Sequence, residues 1–241
     1  MHGTLERIQV DATPLVNGPL RVYFVFSALV VTALTTDLAT HLAAMAAFAL
    51  LSIHAVGRAY VRLLRYPLPF LLPSLLLIAI TLPGEPVAEF WVLTISARGI
   101  DVAAATGVRA VASLSVLSFL VLTTTAPQLV AALDGLRLPA PIVELLLLVY
   151  RGIQVLIEQS ARLTTAARLR GGFTSRRSLF RTTKLIGASL LVSSIDRAEA
   201  FGTAMEARNY AGEMPVPGYE SDGHAVVGAV LCLLVAVRWL T

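Results

Sequence analysis

Five apolar runs constrain this chain more than any other feature of its sequence. They cover residues 22–36, 42–57, a run that begins among the prolines at 67–73 and ends near 82, 110–124, and 225–240. A helix of about 15 residues is roughly 23 Å long, somewhat short of a hydrocarbon core of about 30 Å, so we expect the helices to extend into flanking residues. With 56% hydrophobic and only 14% charged residues, the runs exclude a soluble domain. They predict an all-α, polytopic membrane helix bundle of about five spans.

The distribution of Lys and Arg predicts which side of the membrane each segment occupies. If the N-terminus is cytoplasmic, 16 of the 19 basic residues fall in inside segments, and only Arg98, Arg109 and Arg238 lie outside or at the outer boundary. Inside loops of membrane proteins carry an excess of Lys and Arg. We therefore predict a multi-pass protein of the inner cell membrane with a cytoplasmic N-terminus. Residues 58–65 are then a basic cytoplasmic loop.

Two further segments leave the number of spans open. Residues 142–157 have an apolar centre, but Glu144, Arg151 and Glu158 recur every seven residues and would share one face of a helix. We interpret this segment as an amphipathic helix beneath the membrane, because a single extra crossing would reverse the charge bias. The alternative is a sixth span, which requires that residues 87–97, otherwise interfacial or re-entrant, also cross.

Charge also divides the chain into parts. Residues 127–224 hold 11 basic and 9 acidic residues, which is 20 of the 34 charged residues in the chain and too many for a linker. The predicted parts are an N-terminal membrane bundle of about four spans at 1–126, cytoplasmic amphipathic helices at 127–222, and a last transmembrane helix at 223–241. In the middle part, Ser193 and Asp196 match the serine-x-x-acid pattern that begins many helices.

Two segments of the middle part end in the same way. Arg170 is followed by Gly171, and Arg208 is followed by Asn209. Gly adopts a positive φ without steric cost and Asn is the next most tolerant residue, while a cation suits the negative end of the helix dipole. The pattern predicts two helices that close on a residue with positive φ. It is also typical of ordinary helix stops, since such a residue closes about a third to a half of helices.

With their surroundings, the two endings resemble the transmembrane T component of energy-coupling factor (ECF) transporters. That family is marked by two short Ala-Arg-Gly elements at the ends of cytoplasmic coupling helices, and the similarity extends over residues 95–215. The second element is most similar to the cobalt-type branch. The matching lead-in residues are 123–127, Leu133, 136–139, Tyr150, Arg151 and Glu158 before the first element, and 196–199, Ala204 and Met205 before the second. Two residues depart from the family pattern, because Leu169 stands in place of Ala and Asn209 in place of Gly.

The resemblance implies a transport subunit rather than an enzyme. It implies that a pair of cytoplasmic ATPases docks on the coupling helices and hydrolyses ATP, and that a separate membrane subunit, the S component, binds the substrate. A cobalt or nickel ion is the implied substrate, with a vitamin as the alternative. The residues implied to bind the ATPases are Leu169, Arg170, Gly171, Ala207, Arg208 and Asn209.

No catalytic, cofactor or metal-binding motif is recognisable in the sequence. The single lysine, Lys184, follows Thr183, which excludes a G-x-x-x-x-G-K-[ST] phosphate loop, and no histidine has H-E-x-x-H spacing. No nucleic-acid motif accounts for the positive charge, so we expect no nucleic-acid partner. The lipid bilayer is the expected partner, because inside segments of membrane proteins carry an excess of Lys and Arg. Other hypotheses are an intramembrane lipid-modifying enzyme whose arginines hold headgroup phosphates, a channel or carrier acting alone, and a metal bound by the amine and imidazole of Met1 and His2.

Overall fold

The computed structural model describes residues 9, 12–83, 86–90, 93–210 and 218–240, which contain nine helices and one β-hairpin. The helices are α1 Pro19–Leu34, α2 Leu38–Val56, α3 Arg58–Arg65, α4 Leu68–Thr81, α5 Ala97–Thr123, α6 Ala126–Gly135, α7 Ala140–Leu169, α8 Arg176–Ala207 and α9 His224–Leu240. The hairpin strands are β1 Pro86–Phe90 and β2 Leu93–Ser96. The predicted helical class is confirmed, with this short hairpin as the departure from it. Met1 and His2 lie outside the described residues.

The chain divides into two compact units. Unit 1 comprises Met1–Ala132 and Gly218–Thr241, and unit 2 comprises Leu133–Pro217. Unit 2 contains α7 and α8, and the chain leaves unit 1 inside α6. The cytoplasmic location of the middle part of the chain stays a prediction.

All five predicted apolar runs form helices, namely α1, α2, α4, the second half of α5, and α9. In the described part of the chain, α2 and α5 are each long and apolar enough to cross a membrane, and α3 with α4 would do so as a pair bent by 44°. Helices α1 and α9 are apolar but shorter, with 16 and 17 residues. The protein is therefore a multi-pass membrane protein.

The prediction of a basic loop at residues 58–65 is wrong, because this segment forms α3. Gly57, with φ of 58°, ends α2, and its carbonyl accepts the Tyr60 N–H at 3.3 Å, so the new helix begins at once. Tyr60 is buried, and its hydroxyl donates to Ser115 Oγ of α5 at 2.9 Å. The missed signal was the spacing of the three arginines, which recur every three or four residues on one helical face.

Three phenylalanines form the centre of unit 1. Phe24 of α1 stacks on Phe48 of α2 with ring centroids 5.1 Å apart, and Phe48 meets Phe119 of α5 edge-on at 5.8 Å. The fully buried Ala28 and Ala44 belong to the same cluster. Small residues at such positions let apolar helices approach closely, which is how helices pack in lipid without a hydrophobic drive between them.

A stripe of small residues on α5 receives α4. Gly99, Ala103 and Gly107 recur every four residues and are all buried. A Cβ on Gly99 would lie 2.5 Å from the Ala79 carbonyl oxygen, and one on Gly107 would lie 3.0 Å from Leu75 Cδ1. The α4–α5 contact therefore depends on the missing side chains of these glycines.

The structure also bears on the two segments that left the span count open. Strands β1 and β2 pair antiparallel, from Pro86 with Ser96 to Phe90 with Leu93, so the described residues 87–90 and 93–96 are strands and not a helical span. Helix α7, which contains residues 142–157, has 30 residues and is long and apolar enough to cross a membrane, and Val143 is its one buried residue. The hairpin removes the second crossing on which the six-span alternative depended.

The predicted helix start at Ser193 is wrong. Helix α8 begins after Ser175, whose Oγ accepts the Ser178 N–H at 3.2 Å, and it continues for 32 residues without a break. Ser193 lies in its interior, where its Oγ accepts a hydrogen bond from Gln159 Nε2 of α7 at 2.7 Å. The serine-x-x-acid pattern was misleading here, because the Ser193 hydroxyl bonds to a side chain of another helix and does not cap a helix start.

Candidate functional site

The first predicted site lies at the end of α7 and forms a Schellman motif. Arg170 is the C-cap residue with φ −90° and ψ 10°, and Gly171 follows with φ 70°. The Gly172 N–H donates to Ala167 O at 2.8 Å and the Gly171 N–H donates to Arg168 O at 3.1 Å, which are the two bonds that define the motif. The predicted positive φ at Gly171 is confirmed.

The second site, at the end of α8, repeats this geometry residue by residue. Arg208 is the C-cap residue with φ −95° and ψ 13°, and Asn209 follows with φ 56°. The Tyr210 N–H donates to Met205 O at 3.1 Å, and the Asn209 N–H donates to Glu206 O at 3.0 Å. Asn209 therefore takes the role of Gly171, as predicted from its tolerance of a positive φ.

Both ends present an exposed arginine. Arg170 and Arg208 are exposed, and within the described residues neither side chain has a hydrogen bond or ion pair. Leu169 beside Arg170 is 85% exposed. Each end thus offers a charged group with no partner in the described chain, at a helix end whose Schellman hydrogen bonds are already formed.

The backbone beyond the first end is held by three hydroxyl groups. Thr182 Oγ1 and Ser178 Oγ both donate to Gly172 O at 2.8 Å, and Thr174 Oγ1 donates to Gly171 O at 2.9 Å. A Cβ on Gly172 would lie 2.9 Å from Ala167 O, so only glycine fits there. These contacts fix the direction in which the chain leaves α7.

The second end is held from α7. The Tyr210 hydroxyl donates to Glu144 Oε2, near the start of α7, although the two residues are 66 positions apart. Sequence reasoning did not find this contact, and no local pattern could have indicated it. It gives Glu144 a role in positioning the residue that closes the second Schellman motif.

Helices α7 and α8 run antiparallel within unit 2, because Gln159 pairs with Ser193 while Glu144 pairs with Tyr210. A cavity of about 620 Å³ lies between them. Arg170 precedes α8 and Arg208 follows it, so the length of this 32-residue helix separates the two ends by about 48 Å. The six predicted site residues are therefore not brought together. They form two separate, equivalent ends, with Leu169, Arg170 and Gly171 at one and Ala207, Arg208 and Asn209 at the other.

Comparison with known proteins shows which family the chain matches. A family described as cobalt transport protein CbiQ matches residues 10–217. The cobalt transport protein CbiQ of Rhodobacter capsulatus is 38% identical over 136 residues, which is 56% of each chain. The energy-coupling factor transporter transmembrane protein EcfT of Thermanaerovibrio acidaminovorans is 31% identical, over 64% of this chain and 62% of that protein. The CbiQ protein of Salmonella typhimurium is 25% identical, over 63% of this chain and 71% of that protein.

The chain spans little more than half the length of the first of these relatives. The family match itself covers most of the chain and includes both Schellman ends as well as the α5–α6 corner that precedes them. The helical class, the apolar helices and the family match agree. The chain belongs to the CbiQ family of cobalt transport proteins.

Proposed function

We propose that this chain is the T component of an ECF-type importer, which links ATP hydrolysis by a pair of partner ATPases to the uptake of a cobalt or nickel ion. The ion is bound by a separate membrane S component. The observation that carries the proposal is the pair of Schellman ends, which share the two bonds that define the motif, each with an exposed arginine that lacks a partner in the described chain. Two equivalent ends fit two equivalent ATPase subunits.

Arginine suits this role for physical reasons. Its guanidinium stays charged at every physiological pH and makes bidentate bonds to a carboxylate, even when the pair is partly removed from water. Leu169 beside Arg170 adds an exposed apolar surface that a groove in a partner would cover. A separation of about 48 Å between the ends lets each arginine reach a different subunit.

The proposed arrangement places residues 133–217 on the cytoplasmic side, with the N-terminus on the same side. Eleven basic residues lie between Arg137 and Arg208, and the excess of Lys and Arg in inside segments supports this orientation. Helix α7, although apolar enough to span, then lies beneath the membrane with its exposed apolar side chains towards lipid or the S component. A crossing by α7 alone would place Arg208 on the opposite side from Arg137.

Charge reversal at the two ends tests the proposal. In Arg170→Glu and Arg208→Glu the partner carboxylate would lose its cation and face a like charge, which should weaken ATPase binding by about 2 to 5 kcal/mol. The measurement is co-purification of the ATPases with the chain after mild detergent extraction, followed by ATP-dependent Co²⁺ uptake in liposomes.

Lys184→Glu is the matched control, because it reverses the charge of an exposed residue in the interior of α8, away from both ends. It should bind the ATPases as the wild type does. Normal assembly and uptake in both arginine variants would mean that the two Schellman ends are ordinary helix ends, and would overturn the proposal. Uptake of a vitamin without Co²⁺ or Ni²⁺ would overturn the substrate and leave the coupling role standing.

A further inference from the structure

The chain passes between its two units twice, from Ala132 to Leu133 and from Pro217 to Gly218. In unit 1, the residues just before the first passage and just after the second both bond to the same N-terminal segment. We name this segment, Gln9 with residues 12–23, the N-terminal clasp. Every contact described below lies inside unit 1.

Three clasp side chains hold the residues that lead to the first passage. Gln9 Nε2 donates to Val121 O at 2.8 Å, and Arg21 Nη1 donates to the carbonyl of Thr123, the last residue of α5. The Tyr23 hydroxyl donates to the carbonyl of Ala132, where unit 1 ends. The corner between α5 and α6 is therefore held on both sides.

Arg21 is the central residue of the clasp. Its side chain is only 2% exposed, and it also donates from Nε to Val16 O at 2.7 Å and from Nη2 to Asn17 Oδ1 at 3.2 Å. All three acceptors are neutral oxygens, and the bond to Thr123 places the cation at the negative end of the α5 dipole. Burying a charge is costly unless it is hydrogen-bonded, and only the arginine fork offers donors in these three directions.

The same segment contacts the backbone that follows the second passage. The Asn17 N–H donates to Asp222 O at 2.9 Å. Gly18, with φ 68°, approaches so closely that a Cβ would lie 2.5 Å from Glu220 O, and a Cβ on Gly223, with φ 96°, would collide with Leu15 O. Backbone lies directly on backbone here, so neither stretch has room to shift towards the other.

We propose that the N-terminal clasp transmits displacement of residues 133–217 to the membrane helices, with Arg21 and Tyr23 as positioning residues. The inference rests on the proposed coupling function and adds the route by which force enters the membrane unit. Because one segment holds the chain at both passages, a shift of unit 2 pulls on α1, α5 and α9 at once. Without the side-chain bonds, the α5–α6 corner would be tied to α1 only through the packing deeper in the bundle.

The test measures coupling rather than assembly. The complete complex with its ATPases and S component, in liposomes, gives the number of ATP molecules hydrolysed per Co²⁺ ion taken up. Tyr23→Phe removes one hydroxyl bond without changing side-chain size, and the ratio should rise by about twofold or more, as expected for one lost intramolecular hydrogen bond. Arg21→Gln should raise the ratio further, and Arg21→Lys should fall between it and the wild type.

Two matched controls remove bonds of the same kinds away from both passages. Tyr60→Phe removes the hydroxyl bond to Ser115 Oγ, and Arg109→Gln removes the bond from Nη2 to Ala33 O at the other end of α1. Both should keep the wild-type ratio. If Arg21→Gln does not insert, the ratio of Tyr23→Phe decides alone.

A wild-type ratio in the clasp variants, or a parallel loss of hydrolysis and uptake that leaves the ratio constant, would reduce the clasp to a structural contact and overturn the inference. That result would leave the proposed function intact, since it depends on Arg170 and Arg208. Absence of ATP-driven Co²⁺ uptake by the wild-type complex would overturn the proposed function and the role of the clasp with it.

Discussion

Arg170 and Arg208 occupy the C-cap position, where the bonds that close the helix come from the N–H groups of the next two residues. The arginine side chains are therefore not needed to end either helix. Their contribution as cations near the helix C-terminus is about 0.3 to 1 kcal/mol, less than a desolvated ion pair across an interface provides. The loss of free energy on removing the arginine is therefore smaller for an ordinary helix end than for a docking contact, and experiment can separate the two.

The residue with positive φ gives a prediction that does not depend on any partner. Asn209→Gly should be neutral or slightly stabilising, because it relieves the left-handed conformation, whereas Gly171→Ala should lose about 1 to 2 kcal/mol since a Cβ is disfavoured there. The thermal unfolding midpoint of the purified chain measures both. A lower midpoint for Asn209→Gly would mean that the Asn209 side chain stabilises the second end by a contact of its own.

Helix α5 organises unit 1 by presenting different faces to its neighbours. Its small-residue stripe receives α4, Phe119 enters the aromatic cluster with α1 and α2, and Ser115 bonds to Tyr60 of α3. In lipid, helices associate through close packing and a few interhelical hydrogen bonds, and α5 uses both. Its 27 residues extend well beyond the 15 of the apolar run from which it was predicted.

The close contact of α5 with α4 predicts a contrast between two glycines of unit 1. Gly99→Ala should destabilise the protein by about 1 to 3 kcal/mol, because its Cβ would meet the backbone oxygen of Ala79 and the helices must separate. Gly228→Ala in α9 meets nothing within 4 Å and should gain about 0.5 to 1 kcal/mol from helix propensity. Thermal unfolding in one detergent compares the two, and an equal effect at both sites would contradict the packing argument.

At the scale of the whole molecule, the proposed function requires that unit 2, and the residues that connect it to α9, face the cytoplasm. The charge bias supports this orientation, which would put 16 of the 19 basic residues on the inside. Both ends of α8 must lie on that side for two ATPases to reach them. The orientation is therefore the property of the whole chain on which the coupling role depends.

The single native cysteine makes the orientation measurable. With Cys232→Ser as background, Ser175→Cys and Ser221→Cys should resist an impermeant thiol reagent in intact cells, and should react once the cells are opened. Thr36→Cys, exposed between α1 and α2, should react from outside and serves as the control. Strong labelling of Ser175→Cys in intact cells would contradict the cytoplasmic placement of the two helix ends.

Local sequence was sufficient wherever the deciding interactions lie within a few residues. The Schellman ends could be predicted because their bonds close over six residues and need only a tolerant residue such as Gly171 or Asn209 after the arginine. The apolar runs likewise predicted helices, because a backbone in lipid must satisfy its hydrogen bonds within the segment. Tertiary structure alone decided the contacts between distant residues, such as Tyr210 with Glu144 and Arg21 with Thr123. It also decided that Ser193 lies inside a helix, since its hydroxyl has a partner on α7 that no local pattern reveals.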